Sequence, residues 1–130
     1  MERQYVEGTW QKKRAFSPAV SVSGGRMVFV AGHGAPHDAS GKSLAGDFEA
    51  QVHESFRLMA ASMEKAGAKL ADLVTMTVFI IDARYGDRFT DLRAGYFPDG
   101  RFPASAMLTV AGFAQPEMMV EIQGIAVAAD

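Results

Sequence analysis

The stretch "LVTMTVFIID", residues 73–82, decides the fold. It is rich in β-branched residues and apolar at nearly every position, so it reads as a strand covered on both faces. The chain has 130 residues, enough for a single domain spanning 1–130. One layer of helices hides one face of such a strand, and little chain is left for the other. The expectation is that a second copy of the protein covers it.

On the N-terminal side, Phe48, Val52, Phe56, Met59 and Met63 form one apolar stripe at helical spacing. Asp47 and Glu49 sit in the first turn of this helix and Gly67 closes it. Upstream, "AVSVSGGRMVFVAG" predicts a hairpin: a strand from Ala19 to Ser23, a turn at Gly24-Gly25, and a returning strand from Met27 to Ala31. "HGAPHDASGKSLAG" is a loop. On the C-terminal side, Phe89, Leu92 and Tyr96 predict a helix over 86–97, followed by strands over 104–110 and 118–128. The fold class is therefore α+β, a mixed β-sheet with two helices packed on one face.

Composition narrows the function. A net charge of −2 argues against a nucleic-acid binder, which needs a basic footprint to neutralise phosphates. No apolar run reaches the ~20 residues of a membrane span, and the charged N-terminus lacks a signal peptide's apolar core. The cytoplasm is the expected compartment. With no cysteine, thiolate chemistry and Cys-based zinc sites are excluded. "GKS" at 41–43 has Pro36 where a phosphate-binding loop requires glycine, and "GHGAPH" has His37 where a dinucleotide fingerprint requires one. His33, His37 and Asp38 lie on a loop with no helical face to fix their spacing, so no metal site is expected. No cofactor is expected either. Ser105 lies in no nucleophile elbow.

In "MMVEIQGIAV", strand alternation puts Glu121 and Gln123 on one face with Met119, Ile125 and Val127. Glu121 is then either solvent-facing or held in a partly dry pocket, where burial would raise its pKa toward a general base's range.

These segments carry a resemblance. "SPAVSVSGGRMVFVAG", the run from "DFEAQVHESF" to "LADLVTMTVFIID", the helix ending in "YF", then "FPAS" and "VEIQGIAV" resemble the reactive intermediate deaminase family (RidA, YjgF or L-PSP type) over about residues 16–127. The resemblance implies a chorismate-mutase-like fold, a homotrimer and small-molecule clefts between subunits. It implies that an arginine after Pro-Ala grips the substrate carboxylate, in the bidentate fork a guanidinium suits. It also implies that a glutamate of the last strand positions water to hydrolyse an imine or enamine. Glu121 matches that glutamate.

The arginine position is Ser105. Ala19 stands for a tyrosine, Ala31 for a serine, and Thr90 falls at or near an asparagine. Ser105 thus looks like the vacated seat of the carboxylate anchor. His33, following Ala31-Gly32, is either a second ionisable group of the cleft or a loop histidine without a role.

Two function classes stay open. One is a hydrolase or deaminase acting on an imine, enamine or related metabolite, but not a standard 2-aminoacrylate deaminase. The other is a non-catalytic trimeric small-molecule binder or interaction protein, in which Glu121 is a structural remnant. A ribonuclease reading fits the acidic balance least.

Overall fold

The structure, a computed structural model, describes residues 1–130. Its elements are β1 (Glu2–Tyr5), α1 (Trp10–Lys13), β2 (Val20–Ser23), β3 (Arg26–His33), α2 (Phe48–Lys65), β4 (Leu73–Ile80), α3 (Gly86–Ala94), β5 (Ala104–Thr109) and β6 (Val120–Ala128). Short 3₁₀ turns precede β4 and α3.

Four strands form one sheet in the order β3-β6-β4-β5. β4 and β5 run parallel while the other pairs are antiparallel, so the sheet is mixed as expected. The hairpin expected around Gly24-Gly25 does not form. Both glycines do take positive φ, 74° and 83°, but β2 pairs with β1 in a separate ribbon and β3 pairs with β6. β1 escapes periodicity because "ERQY" shows no apolar face. It is tied down through Arg3, whose guanidinium donates to the Asp72 carboxylate at 2.7 Å and to the Val127 carbonyl at 2.6 Å.

Helix α2 begins where its stripe predicts. The Asp47 carboxylate accepts from the Ala50 N–H at 3.0 Å, satisfying one of the free donors of the first turn. Val52, Phe56, Met59 and Met63 are all buried against the sheet. Full burial of each such side chain contributes about 1.5–3 kcal/mol, so packing rather than propensity holds the helix. Phe56 stacks on Tyr96, with ring centroids 4.0 Å apart, and so joins α2 to the segment after α3.

The faces of the sheet separate cleanly. Met76, Val78 and Ile80 of β4, with Val120 and Ile122 of β6, are buried in the core on the helix side. Thr75, Thr77 and Phe79 point the other way and are only partly covered. Phe29 on β3, across β6 from them, is 72% exposed. The second face of "LVTMTVFIID", which carries two threonines and a phenylalanine, is open in the single chain. No helix is long and apolar enough to cross a membrane.

Candidate functional site

Glu121 lies on the open face, paired across the sheet with Phe79. Its position is set by a bulge in β3. Val30 pairs with Gly124 and His33 with Ile122, so Ala31 and Gly32 together oppose the single residue Gln123. A bulge of this kind re-aims the side chains around it. Here it brings the backbone of Gly32 against the carboxylate: a Cβ at Gly32 would stand 2.6 Å from Glu121 Oε2. Only glycine leaves room for the carboxylate to lie there. Alongside, Ala31, Phe29, Thr75, Thr77, Gln123 and Ile125 line a shallow depression of about 430 Å³.

The same bulge turns His33 away. Simple alternation would place it on the face of Phe29 and Ala31, but the extra residue sets it opposite Ile122, whose side chain is in the core. The ring meets α2 instead. Its Nδ1 donates to the Ala31 carbonyl at 2.7 Å, and its Nε2 lies 2.7 Å from the Ser62 hydroxyl. Within one chain the structure does not bring His33 to Glu121.

Ser105 and Thr90 do come together, on the opposite side of the sheet. β5 alternates, with Ala104 and Ala106 opposite β4's open-face threonines, so Ser105 and Met107 turn toward α3. Ser105, Thr90, Arg14, Phe16, Arg93 and Met107 line a cavity of about 210 Å³. The seat at Ser105 is filled by a residue that sequence reasoning passed over. Arg93, from the last turn of α3, donates through Nη1 to Ser105 Oγ at 2.8 Å and through Nη2 to the Arg14 carbonyl at 2.9 Å. Its side chain is 2% exposed, and burial together with the nearby Arg14 charge holds its pKa down to about 10, so it stays charged at neutral pH.

One signal could have found Arg93. It follows Phe89 by four residues and precedes Phe97 by four, which places a charge on the helix's core stripe. Thr90 is buried and its hydroxyl donates to the Gly86 carbonyl at 3.1 Å. Ala19 is exposed ahead of β2, with its carbonyl accepting from the Val6 N–H at 3.0 Å, and lines neither group. Asp38 is engaged locally. The Ser40 hydroxyl and the Lys42 and Ser40 N–H groups donate to its carboxylate and lower its pKa.

Comparison with known proteins matches this architecture. The family described as Endoribonuclease L-PSP matches residues 10–128. The chain is 33% identical over 122 residues to the 2-iminobutanoate/2-iminopropanoate deaminase of Salmonella typhimurium, covering 87% of this chain and 89% of that one. It is 28% identical over 111 residues to a RutC family protein of Pyrococcus abyssi, covering 85% and 84%. Among solved structures, a Rid-family protein of unknown function from Yersinia pestis superposes with a TM-score of 0.82 at 23% identity, covering 98% and 99% of the two chains. The YjgF product of Escherichia coli gives 0.70 at 27% identity, covering 86% and 87%.

Proposed function

The chain belongs to the Endoribonuclease L-PSP (Rid/YjgF) family, and from that premise we propose that it is a small-molecule hydrolase that deaminates an imine or enamine. The observation that carries this reading is the Glu121 carboxylate, held against the Gly32 backbone on the open face of the sheet. There it can accept a proton from a water molecule as the water oxygen adds to the C=N carbon. The carboxylate passes that proton to nitrogen to give the carbinolamine. It then takes the hydroxyl proton and delivers it to nitrogen as the C–N bond breaks and the C=O forms, so that a ketone and ammonia leave and the carboxylate is regenerated. One carboxylate and one water balance the step. The relative's printed activity, 2-iminobutanoate/2-iminopropanoate deaminase, is of this class.

Glu121 and the Ser105 cavity lie on opposite faces of the sheet, with β4 between their strands. A substrate touching both therefore needs two chains, which supports a homotrimer with its sites between subunits. Ser105 cannot fork onto a carboxylate as an arginine at that place would, so 2-aminoacrylate-derived imines are poor substrates in this reading. A net charge of −2 disfavours RNA cleavage as the activity, since RNA binding relies on cationic neutralisation.

The test is a panel of imines generated in situ by amino-acid oxidases and pyridoxal-phosphate lyases, read as keto-product release. At least one member is expected to be accelerated, with the 2-aminoacrylate imine among the slowest. Glu121→Gln keeps shape and hydrogen bonding but removes the base, and should cost roughly 10²–10⁴-fold in turnover. No acceleration across the panel would leave the family fold as a non-catalytic binder.

A further inference from the structure

Arg93 is a buried cation without a carboxylate partner. Its two bonds to Ser105 and Arg14 use two of a guanidinium's five donors, and both go to uncharged acceptors. The Nε–H is buried with no acceptor at all. The rings of Phe89 and Phe16, with centroids 5.2 and 6.0 Å from Cζ, offset part of the burial cost. They leave the remaining in-plane donors unused. A second guanidinium, Arg14, lines the same cavity and is answered only at the exposed rim, where the Asp87 carboxylate accepts from it at 2.6 Å. A buried charge in this condition is costly unless something of opposite sign completes it.

We propose that Arg93, Arg14 and Ser105 form an anion site that receives the carboxylate of an oxo or imino acid. Ser105 orients the guanidinium, and Thr90 and Met107 bound the cavity. The charge sits at the level of the Ser105 hydroxyl, beneath α3, and not several bonds further out where an arginine borne by β5 would hold it. A carboxylate that reaches it must be separated from the reacting carbon by more chain than in a 2-imino acid. This substrate class rests on the hydrolase reading above; the anion site itself does not.

Direct binding separates the two. Titration calorimetry with 4-oxopentanoate, its neutral amide 4-oxopentanamide, and 2-oxobutanoate reads the site without turnover. The acid is expected to bind at least tenfold tighter than its amide, and tighter than 2-oxobutanoate. Arg93→Met should abolish the preference for the acid over the amide, and Arg93→Lys should retain part of it. If Arg93→Met does not fold, Arg14→Met, which removes a half-buried side chain, should weaken the acid several-fold and leave the amide unchanged. Equal binding of acid and amide, tighter binding of 2-oxobutanoate, or indifference of the acid to Arg93→Met (or to Arg14→Met in its place) would overturn the proposal. Acid binding with no imine hydrolysis would keep the anion site and remove the hydrolase. Hydrolysis of neutral imines untouched by Arg93→Met, with no acid preference, would do the reverse.

Discussion

A single missing Cβ aims the carboxylate on which the proposed chemistry depends. Gly32 has an ordinary backbone, and its value is the space beside it. Gly32→Ala would put a methyl group 2.6 Å from Glu121 Oε2, and the flexible carboxylate would yield before the strand does. The expected result is a fall in kcat of roughly 10²-fold from misplacement alone, with the melting temperature little changed. Loss of fold in place of loss of rate would mean that the strand, and not the side chain, gives way. Glu121 itself was legible in the sequence, because alternation along "VEIQ" is uninterrupted. His33 was not, because one bulge residue reverses every side after it and leaves no mark in composition. Arg93 was hidden by convention: a charge on a helix is read as solvated until its stripe is counted.

Between the elements, buried Gln51 does the fastening. Its amide donates to the Leu44 and Glu117 carbonyls, each at 2.9 Å, and its Oε1 accepts from the Met119 N–H at 2.8 Å. Two loops, one entering α2 and one entering β6, are thereby pinned to a single helical turn, two residues before Glu121 in the second case. Gln51→Leu keeps comparable volume and strands one buried carbonyl together with a part-buried N–H and carbonyl. It should cost about 2–4 kcal/mol, read as a lower urea midpoint at unchanged slope. The helices and central strands were readable because their apolar periods are long and regular. β1 was not, since its four polar residues are ordered by backbone pairing and the Arg3–Asp72 ion pair.

For the molecule as a whole, the face of the sheet that the helices leave uncovered supports assembly. Phe29 and Met27, 72% and 58% exposed, stand on that face, where a homotrimer would bury them. Phe29→Glu should leave the far-ultraviolet dichroism of the chain intact, because the residue adds nothing to the chain's own core. Sedimentation should then change from trimer to monomer; a wild-type chain that sediments as a monomer would remove the intersubunit site. The sheet's separation of Glu121 from Arg93 carries a further consequence. If one chain lends the base and its neighbour the cation, two defective proteins can repair each other. On an acid substrate, Glu121→Gln and Arg93→Met chains, each impaired alone, should regain activity when unfolded together and refolded at equal amounts. Random assortment around a closed ring makes about a quarter of the sites wholly native. A mixture no more active than its parts would place both groups in the same subunit's site.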